Sequence, residues 1–307
     1  MRSICMTSIN APTDAVRQWV AWCKKNDWTL VVAGDRKTPE KEWAGIDCVF
    51  LPVGEQRGLE IPLDNYARKN YAYLYAIEHK AELIFETDDD NYPGDMSDIG
   101  SGPIVKGEMA PHDDFCNVFS MFGVEAWPRG FPLDAPRTPG CTMWTQRAWS
   151  PIQQYMCDDE PDVDAIFRLT RPHKGFHFQR RGPVIMPPGT YCPFNSQMTL
   201  WYPEAYHLMY IPANCAFRCD DIIRGYVAQR LLWTMNGALT FKSPAVTQKR
   251  NPHNLLKDFE SEIPLYLHAG EVPRLLSGVH DLEGAYDALD GTLVDDEPVK
   301  GWTCRFH

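Results

Sequence analysis

No stretch of this 307-residue sequence approaches the ~20 consecutive apolar residues that a helix needs to cross a bilayer. Residues 1–10 hold only a brief apolar run at Ile4, Cys5 and Met6, too short for the core of a signal peptide. There is no internal repeat and no P-loop. The ten cysteines lack the paired spacing of a zinc site: Cys215 and Cys219 are the nearest pair, and no second pair follows. Free, mostly buried thiols in a reducing compartment are expected, because a soluble domain this large needs no disulfide staples. These absences point to a soluble, unexported, cytoplasmic protein. Positive charge is scarce as well. Lys and Arg total 30 against 41 Asp and Glu, a formal net charge of −11. That balance argues against a nucleic-acid backbone or an anionic membrane as the main partner, while leaving room for a local basic pocket.

What is present supports a sizeable core: 44% of residues are hydrophobic and ten are Trp. The most informative stretch is 81–91, AELIFETDDDN. Leu83, Ile84 and Phe85 read as a buried strand, and the run then ends in three consecutive aspartates. In extended geometry Asp88 and Asp90 point one way and Asp89 the other. No Lys or Arg lies within 81–91 to offset the three charges. A hard divalent cation such as Mg²⁺ or Mn²⁺, with coordination sites left over for phosphate oxygens, answers that need. In an α/β sheet the space beyond the carboxyl end of a strand is also where ligands bind. The competing reading is a solvated acidic turn, since Pro93-Gly94 follows.

Around this stretch, strands are predicted at 4–9, 29–33 and 48–51. A helix over 14–25, capped by Thr13 or Asn10, places Val16, Trp19, Val20 and Cys23 on one face. A second helix, capped by Asp64 and running to about His79, turns Ala67, Tyr71, Leu74 and Tyr75 inward. Strands alternating with helices imply a doubly wound, mostly parallel sheet. Arg68 and Lys69 lie in the first turns of the second helix, where the macrodipole disfavours cations; they suggest an anion nearby unless both reach solvent. The Pro- and Gly-rich stretch 92–151 reads as a lid or binding surface without long regular elements, packed by Phe115, Phe119, Phe122 and Trp127.

Order resumes at 161–170, beside an acidic cluster of Asp158, Asp159, Glu160, Asp162 and Asp164. A basic stretch follows, with Arg168, Arg171, Lys174, Arg180, Arg181, His173 and His177. It is either a solvated loop or a receiver of phosphates or of an anionic acceptor. A helix over 220–233 begins with Cys219-Asp220-Asp221, whose acids either cap it or supply a general base. A strand at 239–241, a polar turn with His253, a short helix and two Leu-rich helical patterns complete the chain before an acidic tail.

Six blocks in order resemble the STELLO family of glycosyltransferase-like proteins. They are VVAGDRKTP (31–39), YARKNYAYLYAIEHKAELIFETDDDN (66–91), WPRGFPLDAP (127–136), EPDVDAIFRLTR (160–171), CDDIIRGYVAQRLLW (219–233) and VTQKRNPHNLLKDF (246–259). More distantly, the chain is similar to the reversibly glycosylated polypeptides that act as UDP-arabinopyranose mutases. The family's plant members carry a membrane anchor and reside in the Golgi, a localisation not carried over to this chain.

The resemblance implies a single glycosyltransferase type A domain, Rossmann-like, with a nucleotide-sugar-binding half at 1–91, an acceptor half at 92–270 and a helical tail at 271–307. It implies that Asp88 and Asp90 hold Mn²⁺ or Mg²⁺ against the diphosphate of a nucleotide sugar, expected to be UDP-linked, with His253 as a further metal or phosphate ligand. Thr7, Asn10, Asp35, Arg36, Arg68, Lys69 and Asp89 would line the donor pocket. Asp220 or Asp221 would act as the base toward a glycan or other hydroxyl acceptor. The alternatives are a nucleotide-sugar mutase and a non-catalytic scaffold that retains a nucleotide site.

Overall fold

The computed structural model describes residues 1–138, 140, 144–171, 175–250 and 254–306. The chain opens with β1 (Arg2–Ser8), α1 (Asp14–Asn26), β2 (Thr29–Gly34), a short α2 (Glu40–Trp43) and β3 (Val49–Leu51). A 3₁₀ turn, Tyr66–Arg68, leads into α3 (Lys69–Glu78), followed by β4 (Leu83–Thr87). These four strands pair in the order β3-β2-β1-β4, all parallel. Alternation along β1 separates two cores. Ile4 and Met6 pack with Val16 and Trp19 of α1 on one face, while Cys5 joins Tyr71 and Ala72 of α3 on the other.

Local chemistry explains the ends. Thr13 Oγ1 accepts from Val16 N at 3.1 Å to cap α1, and Asp27 closes the helix with φ 59°. The cap expected at Asp64 falls instead on Asn65, whose side chain accepts from Ala67 N at 2.9 Å. Asp64 itself takes φ 57°, outside the helical region.

Beyond β4 the sheet continues as β10 (Met198–Trp201), antiparallel to both β4 and β8 (Ile152–Asp159), and β8 runs parallel to β11 (Leu239–Gln248). The far edge is β9 (Val184–Ile185), β6 (Ile104–Met109) and β7 (Thr145–Trp149), and β5 (Asn91–Pro93) adds to β11. Four helices complete the mixed half: α4 (Val118–Met121), α5 (Ala165–Thr170), α6 (Asp220–Thr234) and α7 (Leu255–His268). The chain then closes with α8 (Val272–Leu275), α9 (Leu282–Leu289) and α10 (Lys300–Thr303). A parallel α/β half joined through one antiparallel strand to a second half is the α/β layout that the resemblance implied.

Among its described residues the Pro- and Gly-rich stretch holds only short elements, as expected, including the paired strands β6 and β7, and Phe115, Phe119, Phe122 and Trp127 are buried. Two expectations need correction. The strand read at 239–241 extends to Gln248, because the ladder shifts register between Lys242 and Val246 and so accommodates Pro244. The segment after 253 is a 14-residue helix, α7, not a short one. The nine described cysteines are free and mostly buried; Cys141 lies outside the described residues. Among the described residues no helix is long and apolar enough to cross a membrane.

The two halves are tied by a buried carboxylate. Glu86 of β4 and Arg224 of α6 are both fully buried and meet at 2.9 and 3.1 Å. Trp201 Nε1 donates to Glu86 at 2.8 Å, and the Tyr73 hydroxyl of α3 donates to it as well. α6 also rests directly on the neighbouring segment: a Cβ on Gly225 would collide with the Phe194 carbonyl oxygen. Removing one member of such a pair leaves an uncompensated buried charge. Arg224→Ala is therefore expected to lower the unfolding free energy by about 3–5 kcal/mol, read from the midpoint of a denaturant titration.

Candidate functional site

The chain leaves β4 at Thr87 and turns at Asp89 and Asp90, so the three aspartates diverge through a turn and not through the pleat of a strand. Asp88 accepts from Tyr66 OH at 2.7 Å and from Lys69 Nζ at 2.8 Å. Asp89 faces the other way, toward Ser8 and Asn10; Asn10 Nδ2 donates to it at 3.0 Å. Asp90 Oδ2 accepts from Gln248 Nε2 at 3.0 Å, while its Oδ1 is buried and has no hydrogen-bond partner. Burial first, and then the charge of Asp88, push the Asp90 carboxyl up to about 7. Part of the positive charge absent from 81–91 is thus supplied by Lys69, a fully buried side chain from another element.

Two cavities meet at this turn. The larger, about 390 Å³, is lined by Thr7, Asn10, Asp35, Asp64, Asp89 and Phe217 among others. The smaller, about 140 Å³, is lined by Arg129, Asp162, Arg218, Asp220, Asp221 and Arg250 among others. Asp88, Asp90 and Tyr66 line both.

The candidate residues fall into distinct places. Thr7, Asn10, Asp35 and Asp89 line the larger cavity. Asp35 accepts from the backbone N–H of Asp64 and Asn65 at 3.1 Å each, and so holds that rim in place. Arg36 is paired with Asp64 and exposed, and it is Lys37 that lines the cavity. Arg68 does not reach either cavity. It is 3% exposed and donates to the Ile61 carbonyl at 2.9 Å and to Gln56. Lys69 is spent on Asp88, on Tyr66 OH and on the Ser196 carbonyl at 2.7 Å. Its place near the helix start therefore reflects a carboxylate of the chain. His253 lies outside the described residues, as do His173 and Lys174 of the basic stretch.

At the start of α6 the two acids differ. Asp221 accepts from Arg129 Nη2 at 2.9 Å and from Ser196 N at 3.1 Å. Arg129 also clamps Asp162 through Nε at 2.8 and 3.0 Å. Asp220 accepts from Asp221 N at 2.7 Å and faces the cavity. Burial, followed by the charge of Asp221, raises its carboxyl well above the ordinary range. One neighbour is thus fixed by a guanidinium and a backbone N–H while the other retains affinity for a proton, the asymmetry that acid–base chemistry uses.

Sequence reasoning missed Tyr66, Arg129, Ser196, Phe217, Arg218, Gln248 and Arg250 as site residues. They come from five separate places in the chain, and nothing in their local spacing marks them. The only available signal was position within the matching blocks, which hold Tyr66, Arg129, Gln248 and Arg250.

Comparisons with known proteins bear on this geometry. No protein-family model matches the chain. Two Arabidopsis thaliana proteins, probable glycosyltransferases STELLO1 and STELLO2, are each 28% identical over 293 residues, 86% of this chain. The chain is similar to the STELLO proteins over most of its length. It spans only 37% and 38% of their own lengths. Among solved structures, glucosyl-3-phosphoglycerate synthase from Mycobacterium tuberculosis in complex with Mn²⁺ and UDP-glucose aligns with a TM-score of 0.46 at 9% identity. That alignment covers 92% of this chain and 80% of that one. A mannosyltransferase from Pyrobaculum calidifontis in complex with GDP-Man and Mn²⁺ gives 0.36 at 13% identity, covering 94% and 74%. Likenesses this shallow carry no argument about the chemistry.

The raised carboxyl of Asp90 has a consequence for the metal-free protein. The folded state holds the Asp90 proton more tightly than the unfolded chain does. This contribution to stability is complete below about pH 4 and is lost as pH climbs toward 7. Denaturant titrations at half-unit pH steps should show that decline, and Asp90→Asn should flatten it.

Proposed function

We propose that the chain is a metal-dependent glycosyltransferase that takes a nucleotide sugar, UDP-linked, and passes the sugar to a hydroxyl acceptor. The observation that carries this reading is that Asp88 and Asp90 line both cavities, so a group held at the turn reaches into each. The nucleoside occupies the larger cavity, against Thr7, Asn10 and the Asp35-braced rim. The diphosphate lies at Asp88 and Asp90, and the sugar meets its acceptor in the smaller cavity beside Asp220. The similarity to proteins named as probable glycosyltransferases supports the class of reaction. The UDP preference rests on the family resemblance.

The residues fit a divalent cation. Asp90 offers a buried oxygen without a donor, and Asp88 has one oxygen engaged by Lys69 and Tyr66. Among the described residues no group of three or more His, Cys, Asp or Glu is arranged to hold a metal. Mg²⁺ and Mn²⁺ suit such a sparse set, because substrate phosphate oxygens and water complete their coordination. When bound, the cation offsets negative charge on the departing diphosphate. Asp220 takes the proton of the acceptor hydroxyl as its oxygen bonds to the anomeric carbon, and the electron pair of the broken C–O bond leaves with the diphosphate. Asp221, held by Arg129 and Ser196, positions the start of α6. Lys69 and Tyr66 orient Asp88.

Calorimetric titration of UDP and GDP, with and without Mn²⁺, tests the donor site. UDP should bind in a Mn²⁺-dependent manner and at least about tenfold more weakly to Asp90→Asn, the loss of one charged ligand. Equal binding by the variant, or none by the unchanged protein, refutes the donor site. Asp220→Asn should lower turnover of the donor about 10²–10⁴-fold while leaving UDP affinity unchanged, as expected of a lost general base.

A further inference from the structure

The smaller cavity brings together more guanidinium groups than the donor site accounts for, beside the five aspartates that also line it. Besides Arg129, which is committed to Asp162 and Asp221, it is lined by Arg168, Arg218 and Arg250. These three come from separate places: α5, the segment ahead of α6, and the residues just past β11. Each is anchored by its own carboxylate. Arg168 pairs with Glu160, Arg250 Nη2 meets Asp258 at 2.8 Å, and Arg218 Nε and Nη2 donate to Glu262 at 2.9 and 2.8 Å. Asp258 and Glu262 are four residues apart on one buried face of α7, so this helix holds two guanidiniums side by side. A guanidinium has five N–H donors in a planar fork, and these anchors use one or two of them on Arg218 and Arg250. The crowding is costly: burial first, then the charges of Arg168 and Arg218, pull Arg250 down to about 10. Ion pairs serving only to fasten α5 and α7 would gain nothing from converging on one cavity. A bound anion would relieve the repulsion among them.

We propose that Arg168, Arg218 and Arg250 form an anion subsite in which the acceptor's own phosphate or carboxylate is held, its hydroxyl being presented to Asp220. A volume near 140 Å³ suits a small anionic hydroxyl compound and not an oligosaccharide. This substrate class rests on the transferase reading above.

The test is calorimetry on the full chain with inorganic phosphate and with malonate as probes, each with and without saturating UDP and Mn²⁺. The unchanged protein is compared with two paired variants, Arg250→Gln/Asp258→Asn and Arg168→Gln/Glu160→Gln. Each removes a guanidinium without stranding its carboxylate, and folding is checked by cooperative unfolding. One of the two probes should bind the unchanged protein whether or not UDP is present, and should bind about tenfold more weakly to either folded variant while UDP affinity stays the same. Preference for phosphate assigns a phosphate ester, and preference for malonate a carboxylate. Probe binding that UDP displaces, together with weakened UDP binding in the variants, would assign the arginines to the donor diphosphate and overturn the proposal. Absence of binding by both probes, or binding that both variants retain, would overturn it too. The arm without UDP is read independently, so a failure of UDP to bind counts against the donor reading alone.

Discussion

The contact between Glu86 and Arg224 sets the geometry on which the site depends. Glu86 lies two residues before Asp88 on β4, and Arg224 lies one turn after Asp220 on α6. Joining them fixes the aspartate turn of the parallel half against the acidic helix start of the mixed half. Tyr73 and Trp201 add donors from α3 and β10, so three elements converge on one carboxylate of β4. A buried charge surrounded by that many hydrogen bonds tolerates little displacement, because any shift leaves part of it unsatisfied. The position of these aspartates is thereby an outcome of packing deep beneath them.

The same logic of unequal environments runs through the acidic residues. Three successive aspartates would repel one another in water. Here Lys69 offsets the first, neutral hydroxyl and amide donors satisfy the second, and burial drives the third toward its protonated form. At α6 the pattern recurs, with Asp221 fixed by Arg129 and Asp220 left to bind a proton. Adjacent residues of identical type thus acquire different chemistry from whichever distant segment reaches them.

α7 shows why part of the chain resisted reading. Its buried face carries Asp258 and Glu262, while Leu256, Phe259, Ile263 and Leu267 are exposed. A pattern that assumes apolar residues face inward assigns such a helix to the wrong side or shortens it. β8 was missed for a related reason: Gln153 and Gln154 are buried near its start, their side-chain amides donating to Gly102, Ser150 and Asn195, and their polarity disguised a core strand.

The sequence alone determined what depends on neighbours in the chain. It marked α1 through the spacing of Val16, Trp19 and Cys23, the parallel opening through strand-helix alternation, and the acidic strand end through AELIFETDDDN. Periodicity and capping act over a few residues, so they are visible in one dimension. Only the tertiary structure decided which charges meet. Lys69 lies 19 residues before Asp88, Gln248 lies 158 after Asp90, and Arg129 precedes Asp221 by 92. No local rule constrains such separations. They follow from β11 lying parallel to β8 and from α6 being anchored on β4, so the chemistry of the acidic residues is set by the path of the whole chain.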